Sequence, residues 1–215
     1  MKISVMGTGM VGQTLGGKLS ALGHDVMLAG REVDNEASRR FVESHPGART
    51  GDFASAARFG EVVIFAVAGQ ALLAAASACD PADLAGKVVI DVTNPLQMVP
   101  GGLPTLDPAL SNTTSAGEAL QAALPQSRVV KTLNTMTARL MVDPARVPGP
   151  HDVFLCGNDA EAKAVVVDLL RSFGWTEPVD LGGIASALGM EGLMPFWLRM
   201  MQTLGTADFN YRIAR

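Results

Sequence analysis

Three glycines, Gly7, Gly9 and Gly12, stand in the stretch ISVMGTGMVGQTLGGKL between an apolar run and a segment of helical character. The spacing GxGxxG carries little weight alone in a chain with 23 glycines, so its context decides. Here an apolar run precedes it, a helix-like segment follows, and a second apolar run ends at Ala29. That order of strand, glycine turn, helix and strand is what a dinucleotide-binding unit requires. In such a unit Gly7 permits the tight turn, Gly9 lets backbone approach a pyrophosphate, and Gly12 lets helix and strand pack closely. The pyrophosphate then meets the free N–H groups and the positive dipole end of the helix.

Where an NAD enzyme carries Asp or Glu for the ribose hydroxyls, the second strand ends in Gly30 and Arg31. A carboxylate repels a 2′-phosphate, whereas a guanidinium grips it through two hydrogen bonds. NADP(H) is therefore the expected cofactor. Arg39 and Arg40 read as solvated helix-face residues, and Glu32 softens the local field.

Ligands of open α/β sheets sit at the carboxyl ends of the strands. The next candidates are accordingly Ala66, Val67 and Gln70 in FAVAGQ, Thr93, Asn94 and Pro95 in DVTNPL, and Asn134 and Thr135 in KTLNTM. Singly each has a plainer reading, since Pro95 can end a strand and Asn134 can cap a turn. Together they place three small or amide-bearing strand ends on one crevice. No acid–base pair accompanies them, and His24 in LGHDV reads as a packing residue before a strand. An acceptor that takes hydride on a ring needs orientation more than a proton relay. Asn134 is expected to face the space where such a ring stacks on the nicotinamide, because an amide orients a ring carbonyl without giving up a proton.

The elements that must position these residues follow from alternating short apolar runs and helical patterns. Strands are expected near Ile3 to Met6, Asp25 to Ala29, Val62 to Val67, Val88 to Val92, Val129 to Leu133, Val153 to Cys156 and Pro178 to Leu181. The pattern predicts an α/β, Rossmann-type doubly wound parallel sheet extended by a small C-terminal segment and a terminal helix. One domain is expected over 1–215, with a dinucleotide-binding core over 1–150 and an extension over 151–215 lining the acceptor site. Ser115 with Glu118, and Asn158 or Asp159 near Glu161, mark two helix starts. The Pro- and Gly-rich stretch from Pro95 to Asn112 reads as an irregular loop beside the cofactor. Met190, Met194, Phe196, Trp197, Met200 and Met201 form an apolar terminal helix that covers the sheet or a second subunit, and a homodimer is expected.

Composition narrows the classes. A net charge of −4 with pI near 5.3 argues against nucleic acid, which needs a basic face. Cys79 and Cys156 sit apart in apolar runs, and three scattered histidines offer no metal-ligand spacing. The stretch Val62 to Cys79 carries no charge, yet reads as a buried strand and an alanine-rich helix rather than a membrane span. Lys2 followed by a short apolar strand is not a signal peptide, so the expected location is cytoplasmic, without a membrane partner.

On GTGMVG, on GR after the second strand, on DVTNP, on VVKTLNTM, and on CGNDAEAK followed by PVDLGGIASA, nearly the whole chain resembles one family. It is that of the reduced-deazaflavin (coenzyme F420):NADP oxidoreductases, whose relatives include the cytosolic NADPH domains of the STEAP metalloreductases. The resemblance implies that Thr8, Gly9, Met10 and Val11 line the pyrophosphate, Gly30 and Arg31 the 2′-phosphate, and Ala66, Val67 and Gln70 the nicotinamide half. Deazaflavin enzymes of this type can carry histidine where Asn134 stands, the metalloreductase-like members carry Asn, and bulkier residues stand in place of Ala68-Gly69. Both departures bear on the acceptor and leave NADP(H) as the cofactor. Three readings stay open: hydride transfer between NADP(H) and a deazaflavin, NADPH-dependent reduction of a free flavin, a ferric–flavin system or a small carbonyl or imine compound, and a non-enzymatic NADPH-binding module. A small-molecule electron acceptor is the expected partner in the first two, and Lys131, Arg139 and Arg199 are candidates for a basic rim facing the deazaflavin's acidic tail.

Overall fold

The computed structural model describes residues 1–214. Its strands are β1 (Lys2–Met6), β2 (Asp25–Gly30), β3 (Arg49–Asp52), β4 (Val62–Phe65), β5 (Val88–Asp91), β6 (Leu96–Gln97), β7 (Thr105–Leu106), β8 (Arg128–Thr132), β9 (Phe154–Gly157) and β10 (Val179–Asp180). The helices are α1 (Met10–Ala21), α2 (Glu36–Ser44), α3 (Phe53–Phe59), α4 (Leu72–Ser77), α5 (Pro81–Leu84), α6 (Ala116–Ala123), α7 (Ala138–Val142), α8 (Ala160–Phe173), α9 (Ala187–Gly192) and α10 (Met194–Leu204). Eight strands form one sheet in the order β10-β9-β8-β5-β4-β1-β2-β3.

Helices cover both faces, which is why β4 is an apolar run with every residue buried and β5 is apolar up to the equally buried Asp91 that ends it. Alternation along a strand then sends Val62 and Ile64 into one core and Val63 and Phe65 into the other. Helix starts are capped as the sequence suggests: Ser115 Oγ accepts from Glu118 N at 3.1 Å and donates to the Glu118 carboxylate at 2.9 Å. Of the two candidates before α8, Asp159 is the cap, accepting from Ala162 N at 2.7 Å, while Asn158 accepts from Ile184 N at 2.9 Å. Among the described residues no helix is long and apolar enough to cross a membrane.

Three features depart from the expected layout. The sheet is not wholly parallel, because β9 runs antiparallel to β8. Parallel pairing requires the chain to cross back along the sheet, whereas the segment that carries α7 enters β9 at the carboxyl end of β8, where Thr132 stands opposite Leu155. The edge strand β3, sequence RTGD, lacks the apolar signal of the others. The stretch from Pro95 to Asn112, expected to be irregular, contains the antiparallel hairpin of β6 and β7. Leu96, Leu103 and Leu106 of that stretch pack with Met194, Trp197 and Leu198 of α10. Within the terminal segment Met190, Met194 and Trp197 are buried, Met200 and Met201 half-buried, and Phe196 is 55% exposed.

A buried ionic cluster joins this C-terminal segment to the sheet. Lys131, on β8, was a candidate rim cation; instead its side chain is 0% exposed. Its Nζ lies 2.8 Å from Asp91 Oδ2 and 2.7 Å from Glu191 Oε1, and donates to Thr93 O at 2.7 Å. Burial alone pushes the Lys131 ammonium down, but Asp91 and Glu191 together outweigh it and hold its pKa above the usual lysine value. Burial pushes Glu191 up, against the opposing pull of Lys131.

Lys131→Met leaves two buried carboxylates without their counter-ion and should lower the unfolding free energy by about 3–5 kcal/mol at neutral pH. A carboxylate whose folded pKa is raised lends stability at low pH and withdraws it as pH rises through that value. The deficit relative to wild type should therefore shrink as pH falls toward the carboxylate range. Urea titrations at several pH values measure it, and a deficit independent of pH would contradict the ionic account.

Candidate functional site

The sheet order creates a crevice. From β1 the chain winds outward through β2 and β3, then crosses back to β4 on the other side of β1. Such a reversal opens space beyond the carboxyl ends of the two central strands. Gly7 N donates to Ala29 O at 2.8 Å, and Ala66 N to Met6 O at 2.8 Å, so three strand ends meet at the glycine turn.

The three glycines are there for different reasons. At Gly7 φ is +132°, and a Cβ would lie 2.4 Å from Ala66 O. A Cβ on Gly12 would lie 1.8 Å from Gly7 O. Both are demanded by the fold. A Cβ on Gly9 would meet nothing within 4 Å, so its smallness matters only to whatever approaches from outside. Gly9 is also the N-cap of α1 and supplies no side-chain cap, which leaves the first N–H groups of a 12-residue helix for an anion. Gln13 Nε2 fastens the turn by donating to Thr8 O at 2.8 Å. Met10 is 69% exposed at the mouth and Val11 half-buried.

A cleft of about 700 Å³ runs from this turn to the end of β2 and is lined by Gly7, Thr8, Gly9, Gly30, Arg31, Ala66 and Val67, with alanines of α4 closing one wall. Arg39 pairs with Asp34 at 2.6 Å and Arg40 pairs with Glu36. Arg31 is exposed and, among the described residues, makes no ion pair, so it is the guanidinium left for a ligand. Asp52 lines the same cleft, a position the sequence reading missed although Asp52-x-x-Ser55 is a capping pattern. The Ser55 hydroxyl and N–H, at 2.6 and 2.7 Å, hold its carboxyl below the usual range. Asp52 stands in register with Gly30, so this negative charge lies at the same end of the cleft as Arg31, and the features that favour an anion there are the Arg31 guanidinium and the start of α1.

The remaining candidates meet farther along the sheet edge. A Cβ on Gly69 would lie 1.8 Å from Asn94 O, so the loop after β4, with exposed Gln70, rests on the exit of β5. Asn94 Nδ2 donates to Asn134 O at 2.7 Å, and Asn134 Nδ2 donates back to Asn94 Oδ1 at 2.9 Å. Pro95 is buried, and its carbonyl accepts from Asp107 N at 2.7 Å. The three strand ends thus converge, with one correction. Asn134 and Thr135 are each 1% exposed, and Asn134 also donates to Met190 O at 3.2 Å. Its amide points into the protein, and the half-buried amide at the crevice is that of Asn94. Next to it Leu133 has φ +62°, the one positive value at a non-glycine among the described residues, a strain of about 1–3 kcal/mol of the kind that collects at functional sites. Thr93 Oγ1 and Asn134 Oδ1 are buried without a hydrogen-bond partner.

The other candidates lie elsewhere. Arg139 faces Asp208 at 3.8 Å, and Arg199 is exposed on α10. Burial pushes the Cys79 thiol up to about 11 and the Cys156 thiol up to about 12, so both are unreactive at neutral pH. His24 is held below its usual value by burial and the chain's amino terminus, as suits a packing residue.

Comparison with known proteins adds a family. Residues 2–95 match the model of the family described as NADP oxidoreductase, coenzyme F420-dependent. The chain is 30% identical over 201 residues to the rat metalloreductase STEAP3, covering 91% of this chain and 38% of that protein. It is 30% identical over 142 residues to the F420-dependent NADP reductase of Methanocaldococcus jannaschii, covering 65% of this chain and 61% of that one. A crystal structure of a candidate F420-dependent NADP reductase from Arthrobacter sp. FB24 superimposes with a TM-score of 0.94 at 45% identity over the full length of both chains.

The contrast between the glycines is testable. Gly9→Val should leave a cooperatively melting protein that no longer binds NADPH or NADH, because the valine fills the space a pyrophosphate needs. Gly12→Ala should instead lower stability by about 1–3 kcal/mol through backbone overlap. Calorimetric titration and thermal melts separate the two, and undiminished NADPH affinity in folded Gly9→Val would remove the dinucleotide assignment.

Proposed function

The chain belongs to the family of coenzyme F420-dependent NADP oxidoreductases, and from that premise we propose that it transfers a hydride between NADP(H) and the deazaflavin F420. The observation that carries the reading is the pairing of two ends of one sheet edge. At one end lies the glycine turn with an unpaired Arg31. At the other, converging strand ends present the half-buried Asn94 amide, braced by the buried Asn134. The charged groups nearest that second end, Asp91, Lys131 and Glu191, are buried and engaged with one another.

The residues divide the work accordingly. Backbone N–H groups at the start of α1 bind the pyrophosphate. Arg31 binds the 2′-phosphate through charge-assisted hydrogen bonds. Thr93, Asn94 and Pro95 border the place where the two rings meet. Bound there, nicotinamide and deazaflavin supply the hydride donor and acceptor, so the protein's task is to align them and exclude water. An amide suits that task, since it orients a ring carbonyl but does not exchange a proton at neutral pH.

Two measurements test this. Mixing the protein anaerobically with NADP⁺ and reduced F420 should yield NADPH and oxidised F420, followed by absorbance. A protein that binds NADPH but reduces only free flavin would replace the deazaflavin, and one that reduces neither would make this a binding module. Separately, Arg31→Asp should weaken NADPH by about 2–3 kcal/mol, the scale of a charged hydrogen bond turned into repulsion, while NADH changes little. Equal losses for both nucleotides would show that Arg31 serves a contact common to them.

A further inference from the structure

Glu191 is the lone acid in the apolar run ALGMEGLMPFW, and nothing in that setting marks it as part of a site. The structure nevertheless buries its carboxylate and gives it three partners. Oε1 lies 2.7 Å from Lys131 Nζ and accepts from Gly117 N at 3.1 Å, while Oε2 accepts from Ala116 N at 2.9 Å. Two carboxylates thus face one ammonium, and the remaining negative charge sits on the N-terminus of α6, where the helix dipole favours it.

We infer that Glu191 is a positioning residue for the acceptor end of the crevice, anchoring α9 so that the buried Asn134 holds the Asn94 amide in place for the reacting rings. Its catalytic consequence rests on the hydride-transfer reading, whereas its geometric consequence does not. With six residues, α9 is too short to be stable on its own, and the Glu191 carboxylate ties it to β8 and α6. The preceding residue, Met190, offers its carbonyl to Asn134 Nδ2 at 3.2 Å. The other proton of that amide goes to Asn94 Oδ1. A second route runs through Lys131, which donates to Thr93 O at 2.7 Å, while Asp91 Oδ1 accepts from Thr93 N at 2.8 Å. Asn94 is therefore steered from two sides, through the backbone of Thr93 and through the side chain of Asn134. Glu191 touches neither ring and acts through these neighbours.

Glu191→Gln is the informative change. It leaves Lys131 and Asp91 as a neutral pair, so no buried charge is orphaned and the fold should survive. A carboxamide has one oxygen, however, and must turn its NH₂ toward Lys131 or the N–H of Ala116, donor against donor. In ¹⁵N-labelled protein the buried Asn134 side-chain amide should exchange with solvent about tenfold faster in the variant than in wild type. NADPH affinity should stay within about threefold, and turnover of reduced F420 with NADP⁺ should fall about tenfold in kcat, with KM for NADP⁺ unchanged. Unchanged Asn134 exchange in folded Glu191→Gln, or a loss expressed in NADP⁺ binding instead of kcat, overturns the inference. Should Glu191→Gln fail to fold, Asn134→Ala decides. It removes the link without touching the ions, and should speed exchange of the Asn94 amide and lower kcat roughly tenfold to a hundredfold at constant NADPH affinity; a normal Asn94 amide and normal kcat count against it. If wild type moves no hydride from reduced F420, the proposed reaction fails while amide exchange still decides the anchoring.

Discussion

An ammonium group buried in a protein is held in place by its counter-ions, because leaving it unpaired costs about 3–5 kcal/mol, as much as the largest single packing defects. Lys131 is such a group. It sits on β8 and draws Asp91 of the neighbouring β5 and Glu191 of α9 to within 2.8 Å. The C-terminal segment is thereby fastened to the carboxyl edge of the sheet, and the carbonyl of Thr93 is fastened with it. Apolar contacts between α10 and the β6–β7 hairpin are non-directional and would tolerate sliding. The ionic cluster does not, so it sets where α9 lies and which carbonyl faces Asn134.

A second constraint operates at the other end of the crevice, and there it is steric. The glycine turn, the exit of β4 and the first turn of α1 approach so closely that Gly7 and Gly12 have no room for a methyl group. Close backbone packing brings the helix N-terminus to the crevice floor, and Gly9 leaves the approach open. The neighbouring arginines Arg39 and Arg40 are consumed by Asp34 and Glu36. Among the described residues Arg31 is then the guanidinium without an ion pair that lines the cleft, and Asp52, in register with Gly30, sets a carboxylate at the same end.

Between these two anchored ends the half-buried Asn94 amide stands at the sheet edge over buried Thr93, Pro95 and Asn134, and its charged neighbours are locked in the cluster beneath. Such a surface offers a hydrogen-bonding amide and, among the described residues, no free ionisable group, which fits the proposed hydride transfer better than reactions that must deliver a proton from a side chain. The strained backbone at Leu133 and the unpartnered Thr93 Oγ1 and Asn134 Oδ1 fall at the same place. Their concentration there fits an edge built for recognition more than for stability.

What the sequence by itself determined was local or periodic. The glycine spacing after an apolar run, the Gly30-Arg31 pair at the end of β2, the Ser115–Glu118 cap, the apolar run of β4 and that of β5 before Asp91 all carry their meaning within a few residues, because turn sterics, capping and two-sided burial are short-range effects. Tertiary structure alone decided the rest. The polar RTGD reads as a strand only once β2 is beside it. The antiparallel direction of β9 shows only in its pairing with β8, because the buried run of β9 carries no local mark of strand direction. Lys131 looks like a rim cation until the fold brings Asp91, 40 positions away, to its ammonium, and Glu191 binds N–H groups 74 and 75 positions away. Asn134 turns inward for the same reason, since its partners Asn94 and Met190 lie 40 and 56 positions away. Whether a polar side chain faces solvent, a ligand or a buried partner depends on the competing free energies of groups the chain assembles from afar, and no local pattern contains them.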